Sequence, residues 1–216
     1  MIEVFPVMVP HPQASERTTP PILYRCRRGD AKVHYPPHPL LYQVRRMGKS
    51  VLVTYASRTG TTAEIAATIG EELERHGLTA EVVGTDRAGA LGGYRAVVIG
   101  SPVYMGKLLP DIRRFAGARA DDLAALPVAG FVVGIPLAEP TPENRERAQS
   151  LLNEAISPTR ARDVGLFAGR LDPDHLSFVQ RTICTMMKAE FGDFRNEEAI
   201  RTWAAGLPAV LGLEGD

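Results

Sequence analysis

At 216 residues the chain is long enough for one domain of about 150 residues and a sizeable extension, and too short for two full domains. Its 25 Lys and Arg balance 25 Asp and Glu, so it lacks the basic footprint of a nucleic-acid binder; 44% hydrophobic and 23% charged residues exclude wholesale disorder. Cys26 and Cys184 stand far apart with no metal-ligand spacing near either, and no apolar run approaches a membrane span. These features point to a cytoplasmic protein, free or resting peripherally at the inner face of the cell membrane, with no bound metal.

Residues 1–46 are set apart from the rest. They hold eight of the 17 prolines but one of the 20 glycines, and seven basic against three acidic residues, leaving 18 basic and 22 acidic from Met47 onward. Such a stretch buries too little apolar surface to offset the entropy of ordering it. Three readings stay open: a flexible tail, an electrostatic tether, or upstream sequence read from an early start codon with Met47 the natural beginning. The folded domain is expected over 47–216.

From Met47 on, apolar runs alternate with helical periodicity. Val51 to Ala56 predicts a buried strand, and Glu64 to His76, with Ile65, Ile69 and Leu73 four apart, predicts a helix closed by Gly77. Thr79 to Val83 and Ala96 to Gly100 predict strands, and Leu108 to Ala116 a helix. Pro127 to Gly134 predicts the fourth strand, Thr141-Pro142 opens a helix to about Ile156, Val164 to Leu171 predicts the fifth strand and Glu197 to Leu211 the last helix. Strands without polar alternation, each followed by a helix, indicate a parallel sheet covered on both faces, a doubly wound α/β sandwich.

Two strand-to-helix turns carry the candidate chemistry. The first, Ser57-Arg58-Thr59-Gly60-Thr61-Thr62, places hydroxyl side chains and a glycine where the unpaired amides and positive dipole end of a helix favour an anion such as a phosphate. The plainer alternative is that Thr61 and Glu64 form only a capping box. Gly48-Lys49-Ser50 is not the end of a P-loop, because Gln43 stands where the first glycine belongs; a GxGxxG fingerprint is also lacking, so a mononucleotide fits better than a dinucleotide. The second turn, Ser101-Pro102-Val103-Tyr104-Met105-Gly106, is rigid at its start and permissive at its end, suited to lying flat on a ring and bonding its edge. Tyr104 and Met105 packing on a helix is the competing reading.

Ser57-x-Thr59-Gly60-x-Thr62 together with Ser101-Pro102-Val103-Tyr104-x-Gly106 resembles the flavodoxin family. The resemblance, spanning about Lys49 to Leu211, implies a five-stranded parallel sheet of order 2-1-3-4-5 with FMN where the first and third strands diverge. It implies further that Ser57 to Thr62 hold the FMN phosphate, that Val103 to Gly106 line the isoalloxazine, and that Gly134-Ile135-Pro136 covers its other side. The sequence departs from many flavodoxins in having no aromatic residue directly after Gly134.

Within that superfamily the C-terminal part looks most like the menaquinone-dependent protoporphyrinogen oxidase group, through Phe167-Ala168-Gly169-Arg170-Leu171, Gly192-Asp193-Phe194-Arg195-Asn196 and Ile200-x-x-Trp203-Ala204. A helical insert is expected at about 173–192, with apolar residues for a docking substrate, and Arg170, Arg181, Lys188 and Arg195 are candidates for meeting carboxylates such as porphyrin propionates. The resemblance implies a flavin-dependent oxidoreductase of heme biosynthesis, taking a small-molecule substrate such as a porphyrinogen and passing electrons to a quinone or redox-protein acceptor. A one-electron carrier and a flavin-free interaction module stay open, as does homo-oligomerisation. No side chain presents itself as a catalytic acid or base: His175 reads as part of a solvated turn and His76 as a cation at a helix C-terminus.

Overall fold

A computed structural model of the chain describes residues 50–138, 141–172 and 191–214. The expected N-terminal extension and most of the expected helical insert, with His175, Arg181 and Lys188, lie outside the described residues.

Strands β1 (Ser50–Tyr55), β2 (Thr79–Gly84), β3 (Ala96–Tyr104), β5 (Val128–Val133) and β6 (Val164–Phe167) form a parallel sheet of order β2-β1-β3-β5-β6, the arrangement expected once short pieces are set aside. Between them run helices α1 (Thr61–Arg75), α2 (Pro110–Ala118), α3 (Ala120–Ala124) and α4 (Pro142–Ala155), and α5 (Glu197–Leu211) follows the last strand. The strands read as continuous apolar runs because both of their faces are buried. On one face Val53, Val98 and Phe131 pack against Ile65, Ile69 and Leu73 of α1 and Ala204 and Leu207 of α5. On the other, Leu52, Ile99 and Val132 meet Ile112 and Phe115 of α2 and Leu152 of α4.

Gly100 makes room for an aromatic ring on the neighbouring strand, since a Cβ there would stand 2.0 Å from Cζ of Phe131, its register partner on β5. Phe131 in turn contacts Phe167, and Phe167 meets Trp203 edge-on at 5.6 Å between ring centres. The Trp203 indole N–H donates to Oδ2 of Asp163 at 2.7 Å, tying α5 to the residue before β6. Thus Phe167 and Trp203, two of the residues that carry the porphyrinogen-oxidase resemblance, hold the sandwich together.

Three boundaries differ from expectation. Helix α1 starts at Thr61, three residues before Glu64, because Gly60 takes a left-handed cap conformation at φ 91°. The turn expected at Gly100 to Gly106 is instead an extension of β3 that folds back as a hairpin onto β4 (Lys107–Leu108), pairing Val103 with Leu108 and Tyr104 with Lys107. Met105 and Gly106, at φ 49° and 74°, form its two-residue turn, in which both central residues need positive φ. Pro102 therefore sits within a strand rather than in a turn, and it is tolerated there because β1 has ended: the Ala56 amide makes the last bond across, to the Gly100 carbonyl. Finally, the strand expected over Val164 to Leu171 breaks after Phe167. Arg170–Leu171 (β7) leaves the main sheet and pairs antiparallel with Gly192–Asp193 (β8). The Phe194 amide donates to the Gly169 carbonyl at 3.2 Å, anchoring that ribbon beside the break.

Candidate functional site

β1 leads into α1 on one face of the sheet, whereas the adjacent β3 leads toward α2 on the opposite face. Neighbouring strands whose continuations part this way open a crevice at their carboxyl ends, the usual ligand position in a doubly wound sheet. A cleft of about 750 Å³, open solvent included, lies there.

The floor of one end is the loop before α1. Ser57 Oγ accepts from the Gly60 amide at 3.1 Å, folding the loop so that Gly60 caps α1. No side chain caps the helix, and the capping-box alternative falls: Thr61 occupies the first helical position, outside the cap geometry. Its hydroxyl is buried and has no hydrogen-bond partner among the described residues. A buried unpaired hydroxyl costs stability unless something fills its valence. Together with the first-turn amides, Thr59, Thr61 and Thr62 on the cleft wall make a site whose unmet donors suit a phosphate.

Pro102, Val103 and Tyr104 of the hairpin line one side of the cleft, and Val133, Gly134 and Ile135 line another. The Arg58 guanidinium stacks over the Tyr104 ring, 4.8 Å from its centre, so it joins the loop before α1 to the hairpin. Ile135–Leu137 is a single 3-10 turn that keeps Ile135 in the wall while Pro136 is exposed. The surfaces facing the space are thus a polar end and two largely apolar walls, which fits a flavin mononucleotide in chemistry.

The expected site residues divide on this geometry. Arg58, Thr59, Thr61, Thr62, Pro102, Val103, Tyr104, Gly134 and Ile135 border the cleft. Ser57 and Gly60 shape the loop from behind. Ser101 is fully buried, with its hydroxyl accepting from the Leu109 amide at 3.3 Å, so it holds the base of the hairpin. Met105, 78% exposed, and Gly106 form the hairpin tip, outside the cleft lining.

Sequence reasoning offers Arg170 as a candidate for substrate carboxylates but does not anticipate the wall that it forms with Gly169, Leu171 and Asp172. It exists because the chain leaves the sheet after Phe167. Arg170 Nη2 donates to Glu64 Oε1 at 3.1 Å, and Arg195 also donates to Glu64. Arg195 is held by Asp193 as well, through Nε at 2.8 Å and Nη2 at 2.6 Å. Hydrogen bonding to Arg195 lowers the Asp193 pKa, and the same pairing raises that of Arg195. Of the four cations proposed for substrate carboxylates, Arg195 is therefore already engaged. The only advance sign of this brace was the clustering of Arg170, Asp193 and Arg195 in segments flanking the insert.

Residues 52–197 match the family described as the flavodoxin domain. Protoporphyrinogen IX dehydrogenase [quinone] of Escherichia coli K12 is 28% identical over 161 residues, covering 70% of this chain and 87% of that protein. Among solved structures, a flavoprotein from Lactobacillus acidophilus NCFM in complex with FMN is 19% identical at a TM-score of 0.44, covering 55% of this chain and 93% of the other. A flavodoxin from Pseudomonas aeruginosa is 18% identical at a TM-score of 0.44, covering 76% and 99%. The chain belongs to the flavodoxin domain family, whose fold holds FMN where strands β1 and β3 diverge.

Proposed function

We propose that this FMN-binding, flavodoxin-like redox protein is an oxidoreductase that takes electrons from a reduced small molecule of the porphyrinogen type and passes them to a quinone. The observation that carries the reading is the added wall. A carrier needs only an exposed flavin edge, whereas here the chain leaves the sheet after Phe167 and lines the cleft with Gly169 to Asp172. That segment is where the sequence resembles the protoporphyrinogen oxidase group, and the E. coli relative named above is a quinone-linked protoporphyrinogen IX dehydrogenase.

FMN, when bound, supplies hydride and electron transfer, while the protein supplies placement and tuning. Thr59, Thr61, Thr62 and the first amides of α1 anchor the phosphate end; Val103, Tyr104 and Ile135 flank the space for the ring. Apolar walls exclude water from it, which strengthens the electrostatic interactions inside. Arg58, exposed and stacked over Tyr104 at the border of the cleft, is placed to meet an anionic substituent of a substrate. Among the described residues no helix is long and apolar enough to cross a membrane, so a quinone would be met at the protein surface.

Anaerobic mixing tests the proposal. The purified yellow protein should bleach on addition of protoporphyrinogen and regain colour when a quinone follows. Bleaching only by another redox protein, with no response to porphyrinogen, would replace the enzyme by a carrier.

A further inference from the structure

We infer that Arg170, from the far end of the chain, is a ligand for the cofactor phosphate, so that this phosphate site is charge-assisted as well as built from amides and hydroxyls. The inference rests on the FMN reading above and adds a residue that neither the loop motif nor the strand-to-helix turn contains. Two independent observations place it. Arg170 borders the same cleft as Thr59, Thr61 and Thr62, and it bonds to Glu64, whose Oε1 lies 3.9 Å from where a Cβ on Gly60 would stand. The guanidinium thus reaches the N-terminal end of α1. There the Thr61 hydroxyl, in a residue only 6% exposed, lacks a partner among the described residues.

The charges decide what Arg170 does there. Glu64 lies in the first turn of α1 and would repel a phosphate. Arg195 already bonds to Glu64 while Asp193 fixes it from the other side. Arg170 gives Glu64 only one bond, from Nη2. A guanidinium has five N–H donors in a planar fork suited to phosphate. Arg195 therefore neutralises and holds Glu64, and Arg170 retains donors for the anion bound at the helix start. Glu64 orients Arg170 and at the same time competes with the phosphate for it.

The test compares FMN with riboflavin, the same ring without the phosphate, each titrated into the flavin-stripped full-length protein by fluorescence. Arg170→Gln should weaken FMN binding about tenfold or more, the usual worth of a hydrogen bond to a charged group, and leave riboflavin binding unchanged. It should also flatten the salt dependence of FMN binding. Arg170→Lys should restore much of the loss. Glu64→Gln should bind FMN as tightly as the wild type or more tightly, because it frees Arg170 and removes a like charge. Equal losses for FMN and riboflavin in Arg170→Gln, or a loss of FMN binding in Glu64→Gln, would make Arg170 a purely structural brace and overturn the inference. Unchanged FMN binding in Arg170→Gln overturns it alone, whereas a wild-type protein that binds neither flavin removes the reading beneath it too.

Discussion

The two ends of the cleft are built by opposite means. At the β1–α1 turn everything needed lies within a few consecutive residues: Ser57 folds the loop, Gly60 supplies the left-handed cap, and Thr61 and Thr62 line the first turn of the helix. The wall at Gly169 to Asp172 is assembled from distant pieces, with Arg170 reaching Glu64 across 106 positions and Arg195 reaching it across 131. A site made of local geometry tolerates change around it but not within it. One made of long-range ion pairs is exposed to solvent and salt, and its members contribute less one at a time.

That difference ranks the expected effects of substitution. Gly60→Val strikes the local end hardest. At φ 91° a β-branched residue is strained by about 1 to 3 kcal/mol, so thermal stability should fall by that order and the protein should purify without its yellow cofactor. A retained flavin would show that the loop is not the anchor. Thr61→Val separates binding from folding more cleanly. FMN affinity should drop by about tenfold or more, the loss of one charge-assisted hydrogen bond. The flavin-free protein should become equally or more stable, because an unpartnered buried hydroxyl is replaced by a methyl of similar shape. Denaturant melts with and without FMN read both signs.

Trp203→Phe tests the brace beneath the distal wall. Losing the bond to Asp163 should destabilise the fold by about 1 kcal/mol while leaving FMN affinity unaltered, since Trp203 packs in the core away from the cleft. A changed affinity would mean that the core contact positions the wall. The smallest effect belongs to Asp193→Asn. The native carboxyl titrates below its ordinary value of 3.8 because Arg195 bonds to it. Its contribution is therefore present above that pH and is lost as the pH falls through the lowered native value. The variant should differ from the wild type slightly at neutral pH and converge with it in acid. Because the pair is partly exposed, the gap should shrink in salt.

The same contrast explains what the sequence made legible. The parallel sheet packed on both faces and the limits of α5 follow from apolar runs and helical periodicity, which are local and uninterrupted, whereas the strand order came only with the family resemblance. The turn before α1 was equally plain as a strand-to-helix junction, because Gly60 and its hydroxyl neighbours lie together in a few consecutive residues. The hairpin after Gly100 was read as a turn because Pro102 normally ends a strand. Only the tertiary fact that β1 has already stopped permits it to continue. The break after Phe167 was hidden for a related reason. Nothing local in Ala168 to Leu171 marks the end of the strand, and its departure from the sheet depends on pairing with Gly192–Asp193, more than twenty positions later. Ser101 was assigned to the cofactor because it neighbours the ring-flanking residues, but its hydroxyl is taken by the Leu109 amide.

The most direct measurement of the central claim is a crystal structure of the protein grown with FMN. It should show the phosphate on the Thr59 to Thr62 amides and hydroxyls, with the ring between Tyr104 and Ile135. A flavin bound elsewhere, or a cleft closed by the protein's own side chains with no space for the ring, would contradict the account.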